Sequence, residues 1–507
     1  MKYSTLPIDS AATLTNRNNA RAGRMLASPG NPLSTAAAPN EESGRERSAR
    51  AALLAILLIG LAIRLTLWFG CRNDPIHIWD ERDYHALAVN LVEHGEYTFQ
   101  PGGTPTSLRP PLYPAFVAGI YSLFGVENVA AVRFAQIILS LLTVLVAYRL
   151  ALEATSQRVA NWTAALVCFY PSLLIYNNLL LSETLFTLLL TSACWMLVRG
   201  LTTSSLGWTV LSGVLLALAA LTRSAVWLAP PFVALFLLLT WTGPRSQRWV
   251  AAALFIAAFA VTIAPWSIRN SRLQQTFVAI DVMGGRNFMM GNFEHTPLYR
   301  SWDAIALEGE KSWAREIETT YPPEARRTQG FVDKLAFRQG LAFVQAHPLL
   351  SLQRSIVKFF DFWGLEREII SGGNRGFFGA WPKPALIAAA LLIAGSYAAA
   401  LLLAIFGAAV TPPDDRRVHW FLICVVAFLC GVHTVVFGHS RYHLPLAPII
   451  LIYTALALTN LGSIWQRRRS PRFAIATCLC LVVIASWAWM AIVVDGPQIA
   501  AMLGLTA

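Results

Sequence analysis

The chain has 507 residues, of which 55% are apolar and only 13% charged, and its formal net charge is +12. Because soluble domains carry about 25% charged residues, this composition excludes an ordinary soluble fold. The aromatic content of 11% and seven scattered cysteines exclude intrinsic disorder and a secreted disulfide scaffold. The composition therefore predicts an all-α, multi-pass membrane protein.

The N-terminal residues 1–50 are rich in Ser, Ala, Asn, Pro and Arg and lack hydrophobic periodicity, which predicts a disordered cytoplasmic tail. Residues 51–70 are apolar and long enough to cross a bilayer, which predicts an uncleaved first span. Further apolar runs bring the predicted total to eleven spans. They lie at 129–150, 159–178, 180–198, 206–221, 226–241, 249–268, 384–408, 420–438, 443–463 and 473–494.

The arginines between these runs predict the orientation of the chain. With the N-terminus inside, the short outer turns contain only Arg223 and Arg441. The short inner loops contain Arg149, Arg158, Arg199, Arg245, Arg248, Arg416, Arg417, Arg467, Arg468, Arg469 and Arg472. Because cytoplasmic loops are enriched in basic residues, this asymmetry predicts a cytoplasmic N-terminus in the cell inner membrane. The positive charge thus reports topology, and nucleic acid is not an expected partner.

This topology divides the chain into five parts. They are the tail 1–50, a transmembrane module 51–268 that contains the first periplasmic loop 71–128, a periplasmic segment 269–383, C-terminal helices 384–494, and a short periplasmic tail 495–507. Within the periplasmic segment, helices are predicted near 303–318, 328–345 and 348–363.

The first predicted outer loop is acidic in an otherwise basic protein. Its stretch IWDERDYHALAVNLVEHGEY predicts an interfacial helix with Asp80 and Glu81 at its entry. A carboxylate placed there can act as a general base toward an acceptor hydroxyl. The alternative is a helix cap followed by a solvated acidic face. Residues 111–124 are apolar but too short to span, which predicts an interfacial or re-entrant helix.

A divalent metal site is one alternative for the same loop. His77, Glu81 and His85 are spaced four residues apart, which would place them on one helical face if the helix begins early enough. Pro75 and the loop character of residues 71–79 argue against that site, and no HExxH motif or paired CxxC is present. We therefore expect no cofactor and no metal ligands.

Cationic residues recur at the predicted outer ends of the spans, at Arg109, Arg223, Arg269 and Arg441. Several guanidinium groups at one depth would hold a lipid phosphate and stabilise it as a leaving group. The alternative is snorkelling to membrane phosphates in general, and Arg64 in the first span fits either hypothesis. Glu183 begins a span and is either functional or a helix-start charge, with Ser182 as its cap.

The order of these segments resembles the bacterial multi-pass glycosyltransferases of the GT-C superfamily, especially the protein O-mannosyltransferase and aminoarabinose transferase group. The segments are WDERDYHALAVNLVEHGEY, RPPLYPAFVAGIYSLFG, LLLSETLF, LTRSAVWLAP, APWSIRN, MGGRNFMMGN and SRYHLPLAP, within residues 51 to about 465. The resemblance implies transfer of a sugar from a polyprenyl-phosphate donor to a periplasmic acceptor, in a cavity between the first outer loop and the membrane.

The resemblance also implies roles for individual residues. The Asp-Glu pair corresponds to Asp80 and Glu81, with Asp80 as the base or acceptor-binding residue. Arg109 and Arg269 would contact the donor phosphate. The remaining residues expected to bind substrate or phosphate are Arg223, Arg441, Tyr84, Glu183 and Asn270.

The sequence therefore predicts an inner-membrane glycosyltransferase that works by single displacement, with membrane lipids, a lipid-linked donor and a lipid, glycan or protein acceptor as partners. A transporter or flippase of a lipid-linked sugar would use the same arginines, but its functional charges would lie near the bilayer midplane. A polymerase or ligase of lipid-linked glycans would differ mainly in its acceptor.

Overall fold

The computed structural model describes residues 39–366, 372–373 and 382–496, and every regular element in these ranges is helical. Residues 1–48 separate as one unit, of which 39–48 are described as the beginning of the first helix; the account below concerns the second unit, residues 49–507. Most of the predicted tail 1–50 and of the predicted tail 495–507 lies outside the described residues.

The α-helices follow one another along the whole described chain. They are α1 (Pro39–Cys71), α2 (Trp79–Glu93), α3 (Leu112–Phe124), α4 (Val129–Ala154), α5 (Gln157–Phe169), α6 (Pro171–Tyr176), α7 (Glu183–Thr203), α8 (Leu206–Thr222), α9 (Ala229–Thr240), α10 (Arg245–Gln274), α11 (Gly284–Gly291), α12 (Trp313–Thr320), α13 (Gln329–Ala346), α14 (Pro348–Phe362), α15 (Lys383–Val410), α16 (Arg416–Val435), α17 (Ala447–Thr459), α18 (Leu461–Gln466) and α19 (Pro471–Trp489). Short 3₁₀ turns lie at Ser224–Val226, Ser301–Ala306, Gly309–Lys311, Pro323–Arg326 and Ser440–Leu446.

Eight helices in the described ranges are long and apolar enough to cross a membrane, which makes the chain a multi-pass membrane protein. They are Arg47–Cys71, Val129–Ala154, Glu183–Thr203, Arg245–Gln274, Lys383–Val410, Arg416–Val435, Ser440–Thr459 and Pro471–Val494. The predicted count of eleven is not confirmed. The difference arises at the three predicted spans 159–178, 206–221 and 226–241.

These three segments fall short of a full span in different ways. Pro171 divides the first into α5 and α6, because proline lacks the N–H group that would continue the helix. Helix α8 has 17 residues and α9 has 12, fewer than the about 20 residues of a typical span. The break between them lies at Arg223, whose backbone is extended.

The beginning of α1 also differs from the sequence prediction. The helix starts at Pro39, so the predicted boundary between tail and span at residue 51 lies inside it. The segment RERSAR at residues 45–50 consists mostly of good helix formers, which allows the helix to extend beyond its apolar part.

Both predicted interfacial helices are present, as α2 with Asp80 and Glu81 in its first turn and as α3. The three stretches predicted near 303–318, 328–345 and 348–363 correspond to Ser301–Ala306 with α12, to α13 and to α14. A second hydrophobic cluster, which includes Met289, Phe293 and Leu335, packs α11 against α13. Gly285 permits this close approach, because a Cβ atom there would collide with the Asp333 carbonyl group.

Arg64 in the first span has a structural role. Its side chain is 1% exposed and donates hydrogen bonds to Ser140 Oγ at 3.0 and 3.1 Å and to the Cys168 carbonyl oxygen at 3.0 Å. A buried guanidinium is tolerated when its donors are satisfied in this way. Of the two hypotheses for Arg64, phosphate binding and snorkelling, neither matches this environment.

Candidate active site

A cavity with a volume of about 1650 Å³ collects many of the sequence-predicted residues. Its walls come from α2, from the residues before α3, from the break between α8 and α9, from residues 277–290, from α13 and from the segment around 427–442. Aromatic and aliphatic side chains form much of the lining, including Trp79, Trp227, Phe232, Phe277 and Phe428. Such a mainly apolar cleft with a few charged groups is typical of a ligand site.

Three arginines and three carboxylates meet in one connected set, here called the arginine network: Asp83, Arg109, Asp80, Arg441, Glu183 and Arg223. Asp80 lies at its centre. Its Oδ1 atom accepts a hydrogen bond from Arg109 Nη2 at 2.7 Å, and its Oδ2 atom lies 3.0 Å from Arg441 Nη2.

The residues at the two ends of the arginine network are also paired with an opposite charge. Arg109 donates to Asp83 Oδ2 through Nη2 at 2.7 Å and through Nε at 3.0 Å. Glu183 accepts from Arg223 Nη1 at 2.6 Å and also from Arg441 Nε. Glu183 is only 1% exposed, so the two guanidinium groups compensate the negative charge of a buried carboxylate.

None of the three arginines lies inside an α-helix. Arg109 precedes Pro110 and Pro111, which hold the chain out of a helix before α3 begins. Arg223 is the C-cap of α8, and Arg441 lies in the 3₁₀ turn Ser440–Leu446. The sequence separation of these positions is large, so the fold, and no local motif, assembles the cluster.

The electrostatics fix the charge of Asp80. Burial alone would raise its pKa, but the positive charges of Arg109, Arg441 and Arg223 lower the pKa of Asp80 well below its ordinary value. Asp80 is therefore a carboxylate at all physiological pH values and a weak proton acceptor. The side chain still keeps 27% of its surface accessible, on the side of the cavity.

Glu81 has a different environment from its neighbour. Its Oε2 atom accepts hydrogen bonds from the backbone N–H groups of Ile78 at 3.0 Å and His77 at 3.1 Å, and its Oε1 atom accepts from the N–H of Leu180 at 2.8 Å. It is 1% exposed and is not among the described residues that line the cavity. The helix-cap alternative describes Glu81, whereas Asp80 lines the cavity, and the general-base hypothesis for the pair stays a prediction.

The possible metal ligands are engaged elsewhere. Helix α2 begins at Trp79, after His77, so the condition for one helical face is not met. Glu81 binds backbone N–H groups, and His85 Nδ1 lies 2.8 Å from the Tyr121 hydroxyl. Within the described ranges, no group of three or more His, Cys, Asp or Glu side chains is arranged to hold a metal ion.

Tyr84 lies in the cavity wall beside the arginine network. Its hydroxyl donates to Ser182 Oγ at 3.3 Å, and the Arg109 guanidinium lies 5.6 Å from the centre of its ring. Ser182 makes no capping hydrogen bond to α7, contrary to the expectation for it, because its hydroxyl is held by Tyr84 and lies 3.4 Å from Arg223 Nη1.

Arg269 and Asn270 do not join the arginine network. Arg269 donates to the Thr106 carbonyl oxygen at 2.6 Å and to Asn270 Oδ1 at 2.7 Å, and its guanidinium packs over Trp266 at 4.7 Å. Neither residue is among those that line the cavity. Of the four arginines expected at a phosphate site, Arg109, Arg223 and Arg441 line the cavity, whereas Arg269 does not.

Two residues of the site were not predicted, Asp83 in the arginine network and Asp281 in the cavity wall. Asp83 lies three positions after Asp80 on α2, a spacing that places both carboxylates on one helical face and could have identified it. Asp281 follows α10 in the segment AIDVMGG. No sequence pattern distinguishes it from an ordinary charge after a span.

Residues 108–268 match the family model described as dolichyl-phosphate-mannose-protein mannosyltransferase. The match confirms the predicted resemblance for this segment, which contains Arg109, Glu183 and Arg223 but ends before Arg269 and Arg441. Among curated proteins, none matches the chain.

Solved structures of membrane enzymes are also similar to the chain. The oligosaccharyltransferase from Archaeoglobus fulgidus with zinc and sulfate is 17% identical over 85% of this chain and 52% of its own, with a TM-score of 0.48. The oligosaccharyltransferase AglB from the same organism, with an inhibitory peptide and a dolichol-phosphate, is 16% identical over 86% of this chain and 55% of its own, with a TM-score of 0.48. ArnT from Cupriavidus metallidurans bound to undecaprenyl phosphate is 16% identical over 80% and 78%, with a TM-score of 0.38. The chain spans about half the length of the archaeal proteins.

Proposed function

We propose that the chain is a membrane glycosyltransferase that moves a sugar from a polyprenyl-phosphate donor to a hydroxyl group of an acceptor. The premise is the match of residues 108–268 to the mannosyltransferase family model, whose description includes a lipid-phosphate sugar. The observation that carries the proposal is the convergence of Arg109, Arg223 and Arg441 on the wall of one large, mainly apolar cavity.

The arginines supply what a phosphate requires. A guanidinium group has five N–H donors in a planar fork that matches phosphate oxygens. Within the arginine network, Arg109 uses its Nε and Nη2 atoms and Arg223 its Nη1 atom. Asp80 and Glu183 hold Arg441 between them before any ligand arrives. Cationic groups that are fixed in advance stabilise the charge that develops on a leaving phosphate.

The apolar part of the cavity suits the lipid of such a donor. Trp227, Leu228 and Phe232 extend the lining from Arg223 along the break between α8 and α9, and Phe428 faces it from α16. The volume of about 1650 Å³ exceeds the about 300 to 1,000 Å³ of common small-molecule pockets. A sugar with its phosphate and the first isoprene units is therefore a fitting occupant.

The reaction is a single displacement. The acceptor oxygen bonds to the anomeric carbon of the sugar while the bond from that carbon to the phosphate oxygen breaks. The polyprenyl phosphate leaves with the bonding electrons and stays against the arginines, and the acceptor proton moves to a carboxylate of the cavity. Asp80 in this proposal orients Arg109 and Arg441.

The proposed location is the cell inner membrane, with the N-terminus in the cytoplasm and the cavity on the periplasmic side. The distribution of arginines between the loops supports this orientation. A periplasmic lipid, glycan or protein would then be the acceptor.

The direct test is incubation of the purified protein with polyprenyl-phosphate sugars of several kinds, together with candidate acceptors. We expect release of free polyprenyl phosphate and appearance of the sugar on an acceptor, both measured by mass spectrometry. A flippase would move the lipid-linked sugar between leaflets of a vesicle and leave it intact. Intact donor after transport in reconstituted vesicles would contradict the proposal, and the identity of the product would separate a glycan polymerase from other transferases.

A further inference from the structure

The proposed function leaves open which group takes the acceptor proton, and the arginine network makes Asp80 poorly suited to that task. Both of its carboxylate oxygens are engaged, one by Arg109 and the other by Arg441. A general base works best when its affinity for protons is close to that needed at the operating pH. The two adjacent guanidinium groups lower the pKa of Asp80 far below such a value.

A second carboxylate, Asp281, lies in the same cavity. It lines the wall between Ile280 and Val282, near the hydroxyl of Ser224, which lowers its pKa and is the chain neighbour of Arg223. Its Oδ1 atom accepts from the backbone N–H of Met283 at 3.2 Å. Asp281 therefore lies beside the arginine network, and in the described part of the chain its hydrogen bond comes from a neutral backbone group rather than from a guanidinium.

The backbone that carries Asp281 is fixed on both sides. The carbonyl oxygen of Ile280 accepts from Asn270 Nδ2 at 2.7 Å and from Trp266 Nε1 at 2.9 Å, both on α10. The N–H of Val282 donates to the Ser107 carbonyl oxygen at 3.1 Å. A catalytic carboxylate requires a fixed position of this kind relative to the reacting atoms.

We propose that Asp281 is the general base of the transferase, the carboxylate that removes the proton from the acceptor hydroxyl group as its oxygen attacks the anomeric carbon. The new bond joins that oxygen to the carbon, the phosphate leaves with the electron pair toward Arg223 and Arg441, and the proton ends on Asp281. The inference rests on the proposed function. It also gives Asn270 and Trp266 a role, because they position the segment that bears the base.

The surroundings of Asp281 agree with this role. The pKa of Asp281 is raised to about 6, chiefly by burial and also by Asp333, against the lowering effects of Ser224, Met283 and Arg109. Tyr97 is a further titratable neighbour. Asp281 is consequently ionised at pH 7 but loses its charge on mild acidification. We expect the rate of transfer to fall with a midpoint near pH 6 as the pH decreases.

The experiment replaces Asp281 with alanine and supplies azide, an anionic nucleophile that needs no base. Asp281→Ala should reduce transfer to a hydroxyl acceptor by at least about 100-fold. Azide should restore release of polyprenyl phosphate and form a glycosyl azide, because the carbon–nitrogen bond forms without proton transfer. Asp281→Asn should give a residual rate without the acidic limb near pH 6.

Two controls make the result specific. Glu324→Gln removes an exposed carboxylate of the turn Pro323–Arg326, which is not among the residues that line the cavity, and it should keep transfer within about threefold of the unmodified protein. Binding of undecaprenyl phosphate alone, measured by the thermal shift that it causes, should be unchanged in Asp281→Ala. An unchanged shift would show that the variant is folded.

Opposite outcomes would overturn the inference. Near-normal transfer by Asp281→Ala, or azide rescue of Asp80→Ala but not of Asp281→Ala, would assign the base elsewhere while leaving the transferase function in place. If the unmodified protein releases no polyprenyl phosphate from any lipid-linked sugar, the proposed function itself is wrong and the base assignment fails with it.

Discussion

Neighbouring carboxylates on α2 have opposite environments although the sequence presents them as a pair. Asp80 faces two guanidinium groups in the cavity, whereas Glu81 faces three backbone N–H groups in the protein interior. On a helix, successive residues point about 100° apart, so two adjacent side chains rarely share one surface. The Asp-Glu motif therefore combines a cavity residue with one that fastens α2 to the segment before α7.

The fastening role of Glu81 can be tested by stability. Glu81→Gln should lower the free energy of unfolding by about 1 to 3 kcal/mol, because the new amide nitrogen cannot accept a hydrogen bond from a backbone N–H group. Thermal unfolding in detergent would measure the change. Glu93→Gln, on the exposed last turn of the same helix, serves as the matched control and should have little effect.

The arginines differ in their expected contribution to donor binding. Arg441→Ala should weaken binding of undecaprenyl phosphate by about 10- to 100-fold, as expected for loss of a charge-assisted hydrogen bond of about 1.5 to 3 kcal/mol. Arg269→Ala should change that affinity by less than about threefold, because Arg269 contacts the Thr106 carbonyl group and lies outside the cavity wall.

Isothermal titration with undecaprenyl phosphate would distinguish the two residues. Arg338→Ala provides a further comparison, since Arg338 lines the cavity but lies outside the arginine network. Equal losses in the Arg269 and Arg441 variants would show that the phosphate occupies a different place from the one proposed.

At the scale of elements, the 3₁₀ turn Ser440–Leu446 is fixed by His443, two residues after Arg441. His443 Nδ1 lies 2.7 Å from the Phe362 carbonyl oxygen, and its Nε2 lies 3.3 Å from Glu366 Oε1. The imidazole ring stacks on Tyr397 at 4.4 Å. This anchoring at the end of α14 determines where the Arg441 guanidinium can reach.

Removal of this anchor should destabilise the protein. His443→Phe leaves the Glu366 carboxylate buried without its ring partner, which should cost about 3 kcal/mol. The double variant His443→Phe, Glu366→Gln should recover part of the loss, because the buried charge is then removed. Thermal unfolding of the unmodified protein, of the single variants His443→Phe and Glu366→Gln and of the double variant gives the coupling free energy. A double variant less stable than His443→Phe would contradict the explanation by an unpartnered buried carboxylate.

For the whole molecule, hydropathy and charge were sufficient to predict a multi-pass membrane protein. The order of the motifs was sufficient to predict the family resemblance. Composition predicted the membrane protein, and the acidic helix α2 and the short helix α3 were both predicted. The number of spans was not predicted correctly, because a single residue such as Pro171 divides an apolar run that a hydropathy scan treats as continuous.

The candidate site was predicted in part for a related reason. Arg109, Arg223 and Arg441 could be identified as arginines at the ends of spans, but the same pattern also selected Arg269. Their partners depend on which turns of distant helices meet, and a single sequence carries no information about those contacts. Asp281 is the extreme case, because its significance comes only from the cavity that it lines.

The predicted orientation of the whole chain can be tested by cysteine labelling. Glu310→Cys, in the exposed turn Gly309–Lys311, should react with a membrane-impermeant maleimide in intact cells. Arg468→Cys, exposed between α18 and α19, should react only after the membrane is permeabilised. The unmodified protein gives the background from native cysteines. The reverse pattern would place the cavity in the cytoplasm.

The arginine network also constrains the time at which the site can form during synthesis. Asp80 and Glu183 emerge from the ribosome long before Arg441, which is their shared partner. Domains and spans are generally ordered from the N-terminus during translation. In a nascent chain that ends before the segment Ser440–Thr459, Arg223 is therefore the one partner that the arginine network offers to Glu183. Completion of the site late in translation would delay catalytic competence until almost the entire bundle is inserted.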